Sequence, residues 1–198
     1  MKELVKNTLI LLVITVIAGF VLGYVYENTK DTIALRAEEE TKAAYREVFA
    51  DAQAFDDALL ATDNFASEGY GDVKIDKLLI ASDSAGNNLG YIFIITSKEG
   101  YGGDIRFAMG VRNDGTLNGI SILEISETAG LGMEAEKVLK PQFAGRNVEQ
   151  FTFTKTGAET DDQIDAISGA TITTGAFTNG VNLGLHYFSK YLGGANHE

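Results

Sequence analysis

Cysteine and tryptophan are both absent from this chain of 198 residues, and proline occurs once, at Pro141. Without cysteine the chain has no disulfide, no thiolate nucleophile and no cysteine ligand for an iron–sulfur cluster. Only two histidines are present, His186 and His197, and their separation does not match the spacing of a metal site. We therefore expect neither a metal centre nor a histidine-based catalytic triad.

Basic residues are also scarce, because 16 Lys and Arg stand against 28 Asp and Glu and give a net charge of −12. A surface of this sign repels nucleic acids, so we expect no nucleic-acid binding. Nucleotide fingerprints are missing too: no phosphate loop ends in Gly-Lys-Ser/Thr, and Gly100-Tyr101-Gly102 lacks the third glycine of a dinucleotide motif.

Charge is missing altogether from Asn7 to Tyr26, where most of the 20 residues are Leu, Ile or Val. As a helix this stretch spans about 30 Å, the thickness of the hydrocarbon core of a bilayer. A cleavable signal peptide is the alternative, but its apolar core usually has only about 7–15 residues, and no small-x-small cleavage site follows directly. We predict an uncleaved transmembrane anchor over residues 1–26.

The basic residues on the two sides of the apolar stretch predict the orientation of this anchor. Lys2 and Lys6 precede the apolar stretch, whereas Lys30 and Arg36 follow it. The positive-inside rule favours the N-terminus in the cytoplasm. The sequence thus predicts a single-pass protein of the cytoplasmic membrane with its body on the extracytoplasmic side.

Beyond the anchor the pattern predicts a helical linker over residues 27–60, with a helical piece around Phe55–Leu60, and a domain over residues 61–198. Two hairpins are expected in that domain, because β-branched and aromatic runs flank turn residues, most clearly Asn113-Asp114-Gly115. Successive antiparallel hairpins followed by helices predict an α+β fold. The predicted strands are Val73–Ser82, Leu89–Thr96, Arg106–Arg112 and Leu117–Ile125.

The segment Asp165-Ala166-Ile167-Ser168-Gly169-Ala170-Thr171 directly precedes a helical pattern over Thr171–Leu192. A helix N-terminus offers unpaired N–H groups and a partial positive charge, so a phosphate fits there. Small residues at Gly169 and Ala170 would let the phosphate approach closely. The alternative interpretation is that Ser168 simply caps the helix.

A second glycine-rich segment, Glu127-Thr128-Ala129-Gly130-Leu131-Gly132, follows the last predicted strand and precedes a short predicted helix at Met133–Leu139. Glycines on both sides of Leu131 allow positive φ and close approach of the backbone to a flat ligand. An ordinary glycine-rich connection is the alternative.

Asp165-x-x-Ser168-Gly169-Ala170-Thr171 resembles the flavinylation motif of the FMN-binding domain family, whose last threonine carries FMN through a phosphoester bond. Within that family the chain is similar to the G subunits of the Rnf electron-transport complex over nearly its whole length. The further pieces that carry this resemblance are the N-terminal anchor, Tyr101-Gly102-Gly103, the 127–132 run and Lys140-Pro141-Gln142-Phe143-Ala144-Gly145. One departure is that the family usually has proline where this chain has Ala129.

The resemblance implies FMN covalently bound to Thr171. Leu131 would lie on the flavin face, while Tyr101 would either stack on the ring or be an ordinary turn aromatic. Asp165 would be recognised by the flavin transferase that attaches FMN from FAD with magnesium, or would be an acid that favours the helix start. Thr173 and Thr174 are near enough to the helix start to be phosphate ligands, or they are ordinary threonines of the first turn. The other implied cofactor-binding residues are Ser168, Gly169, Ala170, Thr174, Glu127, Thr128, Gly130 and Gly132.

The implied function is that of an electron-transfer subunit without a complete active site of its own. It would relay electrons in ferredoxin:NAD⁺ oxidoreduction coupled to Na⁺ or H⁺ transport, with the membrane, iron–sulfur and flavin subunits of the complex as partners. Two alternatives remain at this point. One is the C subunit of the Na⁺-translocating NADH:quinone oxidoreductase, and the other is a non-redox extracytoplasmic scaffold or binding module in which Ser168 is only a helix cap.

Overall fold

The computed structural model describes residues 1–60 and 69–193 and divides the chain into two compact units, Met1–Thr41 and Lys42–Glu198. The first unit is part of helix α1, Lys2–Val48. Its apolar residues between 7 and 26 are exposed, and among the described residues α1 is the one helix long and apolar enough to cross a membrane. The predicted anchor and the first part of the predicted linker therefore form one continuous helix.

The second unit contains a five-stranded sheet in which every neighbouring pair is antiparallel and the strands follow chain order. Both predicted hairpins are confirmed, as is the α+β fold class. The turn at Asn113-Asp114-Gly115 joins the second hairpin, with Gly115 at φ +86°. The strands are β1 Ala54–Ala58, β2 Val73–Ser82, β3 Asn88–Ser97, β4 Ile105–Arg112 and β5 Leu117–Glu124.

The helical piece predicted around Phe55–Leu60 is wrong, because these residues include most of edge strand β1. Backbone pairing runs from Ala54 opposite Ser82 to Ala58 opposite Leu78, and Lys77 forms an ion pair with Asp57 across the strands. Pairing with a neighbouring strand outweighs the weak helical preference of a short local sequence. Residues 61–68 and 194–198 of the predicted domain lie outside the described residues.

Side chains alternate between the two faces of the central strands. Phe93, Ile95 and Phe107 pack with helix α4, Thr171–Tyr191, whereas Ile92 and Ile94 pack with the end of α1. The α4 helix begins at its predicted residue and ends one residue early. Its buried apolar face covers the sheet and fixes the direction of the helix N-terminus.

Short elements connect β5 to α4. A 3₁₀ turn, Gly132–Glu134, leads into α2, Ala135–Val138, and α3, Lys140–Phe143. The short helix predicted at Met133–Leu139 is therefore found near its expected place. A parallel pair that the sequence did not predict then follows, consisting of β6, Thr152–Thr154, and β7, Gln163–Asp165.

Lys140 at the start of α3 joins this connection to the last turn of α1. Its ammonium lies 2.5 Å from a Glu47 carboxylate oxygen and also pairs with Glu136, while Glu47 accepts a hydrogen bond from Ser121 on β5. Asn118 donates to the carbonyl of Val48 at 2.8 Å. The end of α1 is thus held by β5 and α3 within the second unit.

Candidate functional site

A pocket of about 470 Å³ lies where the start of α4 meets the segments around residues 101 and 127–132. This volume is within the usual range of small-molecule sites, which is roughly 300–1,000 Å³. Loops from three separate parts of the sequence therefore meet at one helix N-terminus. The residues that line the pocket are Tyr101, Glu127, Thr128, Leu131, Gly132, Gly169, Ala170, Thr171, Ile172 and Thr173.

Thr171 is the first residue of α4 and is partly exposed. The helix N-cap is Ala170, which has no side-chain capping hydrogen bond. Among the described residues, the N–H groups of Thr171, Ile172 and Thr173 have no acceptor, since the first intrahelical bond is donated by Thr174 to Ala170 at 3.0 Å. The helix start therefore presents free donors and a partial positive charge beside the Thr171 hydroxyl.

The alternative interpretation that Ser168 caps the helix is wrong, because the N-cap of α4 is Ala170. Ser168 is exposed in the turn before the helix and does not line the pocket. Gly169, at φ +75°, turns the chain into Ala170, and a side chain at residue 169 would meet Leu131 at 3.0 Å. Small size and a left-handed backbone are both required at residue 169.

Thr174 does not line the pocket either, although it was among the predicted site residues. It is fully buried, and its hydroxyl accepts from the N–H of Ile167 at 3.1 Å and donates to the carbonyl of Ala170 at 3.0 Å. These bonds hold the turn before α4. The pocket instead contains Thr173, the other threonine considered as a phosphate ligand, and Ile172, which was not predicted as a site residue.

The turn at Thr128–Leu131 shapes the opposite wall. The N–H of Leu131 donates to the carbonyl of Thr128 at 3.1 Å, and Gly130 adopts φ +75°. Gly130 itself is exposed and lies outside the pocket lining, so it shapes the turn rather than the wall. Leu131 is 40% exposed and presents an apolar surface to the pocket.

Glu127 links two of the three segments. One of its carboxylate oxygens accepts a hydrogen bond of 2.7 Å from the backbone N–H of Tyr101. Tyr101 is 72% exposed at the pocket edge. The neighbouring Glu99 also accepts a hydrogen bond from Asn179 of α4 at 2.8 Å, so the turn that carries Tyr101 is fixed from both sides.

Asp165 is the exposed last residue of strand β7 and lies outside the pocket. Its carboxylate accepts a 2.7 Å hydrogen bond from the N–H of Ala158. Gln142 of α3 accepts from its backbone N–H and donates to its carbonyl. Asp165 therefore organises the loop in front of α4.

The residues present fit an FMN group. Free N–H donors at the helix start suit a phosphate, and the partly exposed Thr171 hydroxyl lies among them. Leu131, Tyr101 and Ile172 offer apolar surface to a planar ring. No group of three or more His, Cys, Asp or Glu residues that could hold a metal ion occurs in the described part of the chain.

Comparison with known proteins agrees with this geometry. Residues 100–186 match the FMN-binding domain family, and residues 1–48 match the RnfG N-terminal region. The chain resembles the crystal structure of Shewanella oneidensis NqrC with a TM-score of 0.50 and 15% identity, covering 73% of this chain and 84% of that one. At this identity the likeness concerns the fold alone.

Similarity to curated relatives extends over nearly the whole chain. The G subunit of the Na⁺-translocating ferredoxin:NAD⁺ oxidoreductase complex of Acetobacterium woodii is 34% identical, covering 96% of this chain and 93% of its own. The G subunit of the ion-translocating oxidoreductase complex of Methanosarcina acetivorans is 29% identical, with 97% and 98% covered. The G subunit of the proton-translocating complex of Clostridium ljungdahlii is 28% identical, with 90% and 88% covered. The chain therefore belongs to the family of Rnf G subunits, the flavoprotein subunits of ion-translocating oxidoreductases.

Proposed function

We propose that this protein carries FMN covalently, through a phosphoester bond to the Thr171 hydroxyl. The observation that carries the proposal is the position of Thr171, which is the first residue of α4 and lies on the pocket wall beside free N–H donors. A phosphate attached there would accept hydrogen bonds from the helix start and interact favourably with the helix dipole.

The remaining pocket residues would hold the flavin. Leu131 and Tyr101 would contact the ring, while Gly132, Gly169 and Ala170 would keep the space around the attachment point open. Glu127 and Thr128 would position the wall that carries Leu131. FMN would supply the redox chemistry, and these residues would set its orientation and the exclusion of water.

In the complex, this subunit would relay electrons during ferredoxin:NAD⁺ oxidoreduction coupled to Na⁺ or H⁺ transport. Relatives are named for both ions, so similarity does not select between them. Partners would be the other Rnf subunits and, during maturation, a flavin transferase that uses FAD and magnesium.

Attachment is tested by intact mass and in-gel flavin fluorescence of the full chain co-expressed with a flavin transferase. We expect a mass gain of FMN less one water, absent from Thr171→Ala and retained in Thr178→Val, because Thr178 is buried in α4 and lies outside the pocket. An unmodified wild-type chain, with the transferase active on another substrate, would exclude the proposal.

We also propose that residues 1–26 anchor the protein with its N-terminus in the cytoplasm, and that the FMN-binding domain follows on the other side. The absence of cysteine permits a direct test, since a single introduced cysteine is the only thiol. In intact cells, Lys155→Cys on the exposed loop should react with a membrane-impermeant maleimide, whereas Lys2→Cys should react only after lysis. The reverse pattern would contradict the orientation.

A further inference from the structure

Two side chains on the pocket wall have hydrogen-bonding capacity that the described residues do not use. Thr173 is only 1% exposed, and its hydroxyl has no hydrogen-bond partner in the described part of the chain. No fully buried side-chain polar atom there lacks a partner, so the Thr173 hydroxyl must open onto the pocket. Glu127 uses one carboxylate oxygen for the N–H of Tyr101, while its second oxygen has no partner among the same residues.

Gly132 brings these two groups together. A side chain built at residue 132 would meet the Thr173 hydroxyl oxygen at 2.7 Å and the second carboxylate oxygen of Glu127 at 2.8 Å. Both oxygens thus lie beside the same Cα atom, and only glycine permits this approach. The pocket wall therefore presents a hydroxyl close to a carboxylate.

The chemistry of this pair selects its ligand. An ionised carboxylate only accepts hydrogen bonds, whereas a hydroxyl can donate one. A phosphodiester has no donor for Glu127, and its negative charge would be repelled by the carboxylate. The pair instead suits a neutral group that offers a donor beside an acceptor, and FMN has two such parts: the imide edge of its ring and the hydroxyls of its ribityl chain.

We propose that Thr173 and Glu127 together bind this neutral polar part of FMN, while the phosphate interacts with the N–H groups at the start of α4. This inference rests on the proposed attachment at Thr171. It assigns FMN binding to the Thr173 hydroxyl. The adjacent Thr174 is excluded as a ligand of FMN, because its hydroxyl is already hydrogen-bonded to Ile167 and Ala170.

The test compares flavinylated full-length Thr173→Val and Glu127→Gln with Thr178→Val. Thr178 is the matched control, since it is also a buried α4 threonine but donates to the carbonyl of Thr174 at 2.8 Å. Intact mass first establishes that FMN is attached. The readouts are then the flavin absorption spectrum, its midpoint potential and the quenching of its fluorescence by iodide.

We expect quenching to rise roughly two- to tenfold in Thr173→Val and Glu127→Gln, which is the equilibrium effect of losing one hydrogen bond. Thr173→Ser should restore the wild-type value. An accompanying shift of the spectrum and potential would identify the ring imide as the ligand, and its absence would identify the ribityl hydroxyls. Thermal unfolding without flavin should be unchanged in Thr173→Val, because that hydroxyl has no partner among the described residues to lose.

The inference is overturned if FMN is attached to both variants while their spectra, potentials and quenching match those of Thr178→Val. Failure of attachment in the wild-type chain is a different result. It would remove the proposed function itself, and the mass measurement separates the two cases.

Discussion

Two helices of this chain contain glycines four residues apart but place them in opposite surroundings. In α4, a side chain at Gly180 would meet the Phe107 ring at 2.7 Å, and one at Gly184 would meet the sulfur of Met109 at 2.5 Å. In α1, Gly19 and Gly23 have the same spacing, and a side chain at either position would meet no described atom within 4 Å. The pair in α4 lets the helix pack closely on a sheet, whereas the pair in α1 is not covered by any described residue.

The apolar residues of the two helices differ in the same way. Most residues of α4 from Thr173 to Phe188 are buried, although the helix includes several threonines and asparagines. The uncharged part of α1 is exposed along its whole length. Lack of charge therefore does not by itself distinguish a core helix from a membrane anchor. Burial does, because most residues of α4 from Thr173 to Phe188 are buried, whereas the uncharged part of α1 is exposed.

The largest expected difference comes from removing one aromatic ring from each helix. Phe177 of α4 is fully buried, and the centroid of its ring lies 5.3 Å from that of the Phe107 ring. Phe20 of α1, in contrast, is 76% exposed. Phe177→Ala should lower the free energy of unfolding by about 3–5 kcal/mol, because it leaves a cavity in the core. Phe20→Ala should leave it unchanged. Thermal unfolding of the full chain in detergent measures both variants. Equal losses of unfolding free energy would show that the two rings do not differ in burial.

Removing a hydrogen-bonding asparagine from each helix should give the next largest difference in stability. Asn182 of α4 accepts from the N–H of Phe151 at 2.7 Å and donates to its carbonyl at 2.8 Å. Asn182→Ala should cost about 2–3 kcal/mol, since two buried backbone groups lose their partners. Asn28 of α1 donates to the carbonyl of Tyr24 but is exposed, so Asn28→Ala should change the unfolding free energy by less than about 0.5 kcal/mol. Chemical denaturation of the two variants would measure this contrast, and a loss below about 1 kcal/mol for Asn182→Ala would refute it.

The sequence predicted the parts of the fold that depend on local patterns. The strands β2 to β5 are rich in β-branched and other apolar residues and lie between turn-forming residues, and α4 has a helical apolar spacing. Strand β1 was missed because Asp56 and Asp57 do not favour strands, and its pairing depends on β2. The parallel pair β6 and β7 has three residues per strand. It depends on contacts such as Arg146, which donates to the carbonyls of Asp161 and Gln163.

The candidate site likewise contains some residues that local sequence could predict and others that depend on tertiary packing. Thr171, Gly169 and Ala170 line the pocket, and their positions could be predicted because they lie at the adjacent helix start. The choice between Thr173 and Thr174 could not, since successive helical residues differ by about 100° in direction and the rotation of α4 on the sheet decides which one faces the pocket. The contact between Gly132 and Thr173 joins segments that are distant in sequence, and only tertiary packing brings them together.

Side chains added at matched glycines of α4 and α1 should also affect stability differently. Gly180→Val should destabilise the protein by about 1–3 kcal/mol, because the new methyl groups overlap the buried Phe107 ring. Gly19→Val should have no effect on unfolding of the second unit, since no described atom of the chain contacts that position. Loss of the cooperative unfolding transition in Gly19→Val, with Gly180→Val unchanged, would reverse our assignment of the two helices.

The smallest expected effect concerns the last turns of α1, where residues of the helix are buried. Burial acts to raise the pKa of Glu47, but hydrogen bonds from Lys140 and Ser121 outweigh it and hold the pKa below its ordinary value of 4.5. A lowered pKa in the folded state means that this stabilisation is fully present above pH 4.5 and is lost as the pH falls through the folded value.

Glu47→Gln tests this last contact. It should cost about 0.2–1 kcal/mol at neutral pH, because the pair is partly exposed and screened by solvent, and added salt should reduce the loss. The difference from the wild-type protein should shrink below pH 4.5. Glu27→Gln is the matched control, since Glu27 pairs with Lys30 on the exposed part of α1 and should not alter unfolding at any pH. Parallel, pH-independent curves for Glu47→Gln and the wild type would show that the charge of Glu47 does not hold α1 to the sheet.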